Sequence, residues 1–524
     1  MIIDLAKQPA PTDRTFDVCV AGAGAAGIAL TMELAAKGVR VALLEGGGDG
    51  FEVRSQNICA GETDGLPFNG LYNGRCRMLG GTTTLWGGQI MEMDEHVFPG
   101  RPWIPGGAWP IAKQDLTEGY ARAIQLERLG EALDNAETIW RLLELAPPAF
   151  GDDLFTAFSR WCPVSNFARL HGDALRSHPN IQVFLHANVC TLQFEGDGQT
   201  LRAVSARTQG RGTTQFYAKH FVLAIGGIET NRLLLQPDVS TVPPPWAAGG
   251  RVGRHFQDHI SSYVATVKDG SLAGARYFDY VAAAGFKYHA KIKMRPETQE
   301  RFGTLDVCGT VAVTTDGLDD LAMAYETYRL WKTRQLQSLT AGRVSHFFLN
   351  AHKLIWQKMP YSRLSSRSSR NQSLRLTVHC EQTPLSAGEV TLASERDALG
   401  LLRARVAWRA APLELHSIRE FLRITRRAFE ERGLGLVVPD PGVEEDDAAL
   451  SSTFRESYHH IGGARMASNR SDGVVDPNLL VFGTRNLFIC STAVFPSAGF
   501  VNPTHTLIAL AVRLASRLVA LRES

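Results

Sequence analysis

The chain has 524 residues, enough for two or three folding units around a sizeable core. Hydrophobic residues make up 44%, charged residues 21% and the formal net charge is only +2, which excludes a disordered chain and gives no electrostatic case for a nucleic-acid partner. No run of about 18 apolar residues stands out as a bilayer span. The N-terminus lacks a leader pattern and the eight cysteines are scattered without a CxxC pair. Together these predict reduced thiols, no metal centre and a cytoplasmic protein.

The first predicted unit is "FDVCVAGAGAAGIALTMELAAKGVRVALLEGG". Phe16 to Val20 reads as a buried strand, Gly22, Gly24 and Gly27 complete GxGxxG, and Ile28 to Ala36 reads as a helix. A second strand, Val39 to Leu44, ends at Glu45, 18 residues past Gly27. The physical reasons for the pattern are separable. The first glycine turns the chain, the second lets backbone approach a pyrophosphate, and the third lets helix and strand pack closely. The helix N-terminus then faces phosphate, and Glu45 can accept from ribose hydroxyls. This pattern predicts dinucleotide binding.

Further along, "RCRMLGGTTTLWGG" (Arg75 to Gly88) predicts a Gly/Thr loop that passes tightly against a planar ligand. "HFVLAIGGIETNRLLLQ" (His220 to Gln236) repeats the pattern of strand, Gly226–Gly227 and helix. A second such unit about 200 residues on implies a nucleotide domain assembled from discontinuous segments. "VSTVPPPWAAGG" predicts a surface loop.

Between Thr327 and Cys380 there are ten Arg or Lys residues and no Asp or Glu. Within that stretch Val344, Phe347, Phe348, Ala351, Leu354 and Ile355 recur at helical spacing beside Trp331 and Trp356, followed by "SRLSSRSSRNQS". A basic amphipathic helix fits three settings: an anionic membrane surface, an acidic substrate or partner, or a solvated face of the substrate-binding domain. "VTLASERDALGLLRARVAW" predicts strand, turn and strand, and "ELHSIREFLRITRRAFEERG" an amphipathic helix ending at Gly433.

Near the end, "RESYHHIGGARM" (Arg455 to Met466) holds adjacent histidines. Neighbouring side chains on extended backbone point to opposite faces, so only one of His459 and His460 is expected to serve a given site. In "VNPTHTLIALAVRLASRL", Pro503 suits a first helical residue, and Leu507, Leu510, Leu514 and Leu518 follow helical spacing. Asn502 then reads as a helix cap.

These segments, in this order, resemble the glucose–methanol–choline (GMC) family of FAD-dependent oxidoreductases. The likeness runs through "LGGTTTLWGG", "WPIAKQDLTEGYARA", "LHANVCTL", "VLAIGGIETNRLLL", "VGRHFQDH", "CEQTPLSAGEVTLASERDALGL", "YHHIGGARM", "GVVDPNLLVFGTRNLFICSTAVFP" and "NPTHTLIALAVRLA", covering nearly the whole chain. The bacterial branch related to pyranose oxidases and sugar dehydrogenases looks nearest.

The resemblance implies an α/β fold. A discontinuous, Rossmann-like FAD-binding domain (1–105, 181–265 and 455–524) would join an α+β substrate-binding domain with an antiparallel sheet (106–180 and 266–454, including a basic helical insertion at 320–373). It implies FAD contacts from Gly22, Gly24, Ala25, Ala26, Gly27, Glu45, Gly80, Gly81, Thr82, Thr83, Trp86, Gly87, Val189, Ala224, Gly226, Thr492, Pro503 and Thr504. It makes His459 the base facing the flavin, Asn502 its companion and His460 a neighbour directed toward the flavin edge or its surroundings. The activity implied is oxidation of an alcohol, on a sugar or glycoside hydroxyl. Alternatives are lyase or flavin photodecarboxylase chemistry, or a lipid-linked, sterol or aromatic alcohol.

Departures from the family pattern are Gly463 for a common threonine, His505 for an apolar residue and the Cys490–Thr492 "CST". Leu85 stands where some members attach FAD through histidine, so non-covalent FAD is expected.

Overall fold

A computed structural model describes residues 1–11, 15–130, 136–240, 242–268, 280–315, 327, 331, 340–357 and 372–523. Its first sheet runs in the order Ile2–Asp4, Ile181–Leu185, Val41–Leu44, Thr15–Ala21, Thr213–Leu223, Leu201–Arg207, Asn188–Phe194, and Leu487–Ile489 also pairs with Thr213–Leu223. The pairings are parallel from Ile2–Asp4 through Thr213–Leu223 and on to Leu487–Ile489; Leu201–Arg207 and Asn188–Phe194 extend the sheet antiparallel. Strand Val41–Leu44, "VALL", is buried at every position, as expected where both faces of a parallel sheet are covered.

Helix Ala25–Ala36 packs against the C-terminal helix Thr504–Glu523, which also packs on Thr117–Leu126. A Cβ on Gly119 would stand 2.6 Å from the Ala509 carbonyl oxygen, so glycine permits that last helix crossing. Thr504–Arg522 is long and apolar enough to cross a membrane, contrary to the expectation of no such run. Its Ile508, Leu510, Ala511, Leu514 and Leu518 are buried in the core, as in the central helix of a globular unit.

The second large sheet is antiparallel, in the order Leu436–Pro439, Ile260–Lys268, Gln372–Cys380, Val307–Thr315, Phe286–Met294, Leu154–Trp161, Gln89–Ile90. One face packs on helix Pro412–Glu431: Ile292, Met294, Val307, Val311, Leu376 and Val378 meet Ile418, Phe421 and Leu422. Each such buried side chain contributes about 1.5–3 kcal/mol. The helix closes at Arg432, with Gly433 left-handed (φ 62°), matching the predicted stop. The opposite face is polar, carrying Ser159, His289, Lys291, Lys293 and Thr310.

A smaller five-stranded sheet, Ile461–Gly463, Arg254–Gln257, Glu389–Arg396, Leu402–Trp408, Glu62–Gly65, joins the two units. It takes up the predicted hairpin of 390–408. Elements also cross the expected domain boundaries: Gln89–Ile90 belongs to the antiparallel sheet, while Thr117–Leu126 packs on the C-terminal helix in the core of the parallel-sheet unit. In the loop 239–250, Trp246 is buried and donates to the Leu234 carbonyl, so this loop is anchored rather than purely superficial. Helix Ala341–Gln357 forms where the basic amphipathic pattern predicts it. Most of the 320–373 insertion, including 362–371 of the Ser/Arg stretch, lies outside the described residues.

Candidate active site

Two glycine turns meet at the carboxyl ends of the parallel strands. Gly22 is left-handed (φ 101°), and a Cβ there would lie 2.4 Å from the Ala224 carbonyl oxygen. A Cβ on Gly27 would fall 1.8 Å from the Gly22 oxygen. Both must be glycine for packing within the protein. Gly24 differs: it caps helix Ala25–Ala36 in extended backbone, and among the described residues no atom beyond its chain neighbours lies within 4 Å of a Cβ added there. Gly226, the left-handed cap of helix Gly227–Leu235, also faces open space. Ala25 and Ala26 begin the first helix, offering small side chains and free backbone N–H groups. This cradle fits a pyrophosphate.

Glu45 is buried, and its carboxylate accepts from Ala23 N–H (3.2 Å) and Gly47 N–H (2.9 Å). Burial pushes its pKa up while Arg77 opposes the shift. Gly80 N–H donates to the Ala23 carbonyl (2.9 Å), laying the Gly/Thr loop on the first turn; a Cβ on Gly81 would reach 2.9 Å from Gly24 Cα. Thr82 and Gly87 of this loop are exposed. Thr83 bonds the Gly80 carbonyl and Phe167 N–H, and Trp86 Nε1 donates to the Ser165 carbonyl, so both side chains brace the loop. Val189 is half-buried against the core beneath. Thr492 Oγ1 donates to the His460 carbonyl (2.5 Å).

The paired histidines separate. His460 lies among Phe68 and Phe256, with ring centroids 5.7 and 6.2 Å away, and its buried Nε2 has no partner among the described residues. His459 instead meets His259, Nδ1 to Nδ1, at 2.7 Å, and His259 Nε2 lies 2.6 Å from the Gly499 carbonyl oxygen. Burial pushes His259 down to about 4 and His379 to about 3; it also pushes His459 well below the usual imidazole value, helped by the charges of His259 and His379. All three are therefore neutral near pH 7.

The tautomers follow from the partners. A carbonyl only accepts, so His259 carries its hydrogen on Nε2. Its Nδ1 then accepts, and His459 Nδ1–H donates. That leaves the His459 Nε2 lone pair unprotonated. Asp258 fixes the local backbone: its Oδ1 accepts from the N–H groups of His259, Ser457 and His459. Burial raises the Asp258 carboxyl to about 8.

The segment before the last helix is tied to the same place. Phe500 N–H donates to Asp306, Gly499 N–H to Glu381, and the Gly499 carbonyl receives His259. His259 thus links His459 to the loop ending at Asn502. The Pro503 carbonyl accepts from Leu507 N–H (2.9 Å), so the helix begins at Thr504, with Pro503 as its cap. This corrects both the placement of Pro503 as first helical residue and the reading of Asn502 as cap. Asn502 lies one residue outside, half-buried, with no side-chain hydrogen bond among the described residues. Sequence reasoning misses His259; its only signal is the "QDH" within "VGRHFQDH".

Comparison with known proteins decides the family. Residues 17–325 match the model described as FAD dependent oxidoreductase, and residues 384–511 match GMC oxidoreductase. The chain belongs to the FAD-dependent GMC oxidoreductases. Its relatives include 2-methyl-1,2-propanediol dehydrogenase of Mycolicibacterium austroafricanum, 25% identical over 65% of this chain and 53% of the relative. The fructose dehydrogenase large subunit of Gluconobacter japonicus is 23% identical over 63% and 53%. The chain thus spans about half the length of these curated relatives. A fungal aryl-alcohol oxidase structure shares the fold (TM-score 0.59, 14% identity, covering 98% of this chain and 100% of that one).

As a GMC oxidoreductase the protein uses FAD, and two of its departures from the family pattern, Gly463 and His505, have physical reasons. Gly463 is left-handed (φ 94°), and a Cβ would stand 2.1 Å from Asn231 Nδ2, which donates to the Gly227 and Gly462 carbonyls. Threonine has no room there. His505 pairs through Nδ1 with buried Glu127 at 2.6 Å and lies beside the Tyr120 ring. Leu85 is half-buried at the end of the Gly/Thr loop.

Proposed function

We propose that this GMC oxidoreductase oxidises an alcohol to a carbonyl, with His459 Nε2 taking the hydroxyl proton. The observation that carries this reading is the His459–His259–Gly499 chain, which holds a neutral imidazole with its free lone pair defined. A positioned base of this kind contributes roughly 10²–10⁴ in rate. Bound FAD supplies the hydride acceptor. Asn502, lacking a side-chain partner among the described residues, is the candidate to hold the same hydroxyl in line. The parallel-sheet unit would hold FAD, and the polar face of the antiparallel sheet would cover the substrate.

A sugar or glycoside hydroxyl is the preferred substrate; the fructose and diol dehydrogenase relatives support a small polyol rather than a sterol. With leucine at position 85, FAD is held non-covalently. The eight free, buried cysteines suit a reducing compartment. Anaerobic stopped-flow mixing with sugars, glycosides, diols and aromatic alcohols tests the reaction: bleaching of the oxidised flavin by a polyol supports it. Turnover with flavin that never becomes reduced contradicts it. Denaturation should release the flavin into the supernatant.

A further inference from the structure

Strand Phe286–Met294 reads "FKYHAKIKM". Strand alternation puts Lys287, His289, Lys291 and Lys293 on the face opposite the Pro412–Glu431 helix. Two contacts tie that face to the Gly/Thr loop and to the segment before the last helix. Ser159, paired with His289 across the strands, receives Gln89 Nε2 from the end of the Gly/Thr loop at 2.6 Å, and Lys293 stands 4.7 Å from the ring of Phe500, just before Asn502.

Most of the column has its charge answered. Lys287 lies over the rings of Tyr280 and Trp161, at 3.7 and 4.7 Å. Lys293 pairs with Asp94. Lys291 does not: it is 7% exposed, yet it has no hydrogen bond, ion pair or aromatic face among the described residues. Burial lowers its pKa, with only the neighbouring Cys308 thiol opposing the shift among the described residues. Lysine is rarely this buried without a partner, because desolvating an ammonium costs several kcal/mol.

Its place relative to the imidazoles follows from the register. Lys293, Cys308, His379 and Ser261 form one row across four strands, and Ser261 lies two residues past His259. Lys291 is two residues along on the same face, close enough for its charge to help lower His379, which acts in turn on His459. Thr310 and Thr377, paired across the next row, add hydroxyls with no hydrogen bond among the described residues.

We propose that Lys291, with Thr310 and Thr377 beside it, binds an anionic group of the substrate, so that the alcohol oxidised carries a carboxylate or phosphate. This rests on the alcohol-oxidising reading of the same site and narrows its substrate class. A neutral sugar would leave the Lys291 ammonium without a counter-charge among the described residues.

Two measurements on the holoenzyme test the proposal. The first titrates succinate or inorganic phosphate, which have no alcohol to oxidise, and follows the flavin absorption spectrum. Saturable perturbation is expected in the wild type, weakened about 10- to 100-fold in Lys291→Met and largely kept in Lys291→Arg. The second compares anaerobic flavin reduction by D-gluconate, D-glucose 6-phosphate and D-glucose. The anionic substrates should be preferred, gluconate or the phosphate marking which group is taken, and the preference should collapse through KM in Lys291→Met. A wild-type spectrum that ignores both anions, or equal binding by a folded Lys291→Met, overturns the proposal. Failure of every alcohol to bleach the flavin would instead remove the activity reading, leaving the anion titration to decide on Lys291.

Discussion

At the level of single residues, hydrogen-bond chemistry decides roles that sequence alone leaves open. Period-two alternation is enough to predict that His459 and His460 diverge, and they do, one to His259 and the other to Phe68 and Phe256. That His259, 200 residues earlier, fixes the tautomer of His459 is not legible, because a contact at that separation leaves no local pattern. His505 is similar: in the sequence it is only a departure, and its reason is Glu127, 378 residues away. His505→Leu would leave the Glu127 carboxylate buried and unpaired. Breaking such a pair costs about 3–5 kcal/mol, so thermal unfolding should show a clear fall in Tm. An unchanged Tm would mean that the pair carries little stability.

At the level of elements, the glycine turns are the most legible feature, since only glycine tolerates the required φ values and close approaches. They also separate packing from binding. Gly24→Val should fold with near-normal circular dichroism, because the protein has room for the side chain, yet lose most bound flavin, because that room faces the pyrophosphate cradle. Normal flavin content in this variant would contradict the cradle. Helix Ala341–Gln357 is legible from its spacing, but its surroundings are not. Phe348 and Leu349 are 74% and 72% exposed, and of the three settings open to this helix we propose the anionic membrane surface. Co-sedimentation is expected with anionic vesicles and not with neutral ones; recovery with neither would remove the proposal. The order of strands in the sheets stays hidden, as pairing partners are set by long-range packing rather than by local composition.

The molecule as a whole carries a cluster of suppressed histidines with a consequence for stability. His259, His379 and His460 titrate at about 4, 3 and 3 in the folded state, against about 6.5 when unfolded. Their stabilising contribution is complete above about pH 6.5 and is lost as the pH falls toward those folded values, because the unfolded chain then binds the extra protons. Asp258, raised to about 8, acts with the opposite sign between about pH 4 and 8, and buried Glu45 and Glu414 are raised as well, but the lowered imidazoles, His459 among them, outnumber these acids. Each proton of difference is worth about 1.4 kcal/mol per pH unit. Tm should therefore be lower at pH 5 than at pH 7; a flat profile would mean that the imidazoles are more solvated than their burial implies.

The central claim is that His459 Nε2 removes the alcohol proton, and the rate of anaerobic flavin reduction in His459→Ala tests it most directly. The variant should retain its flavin and be reduced roughly 10²–10⁴-fold more slowly than the wild type by the same alcohol. Reduction at close to the wild-type rate would contradict the account.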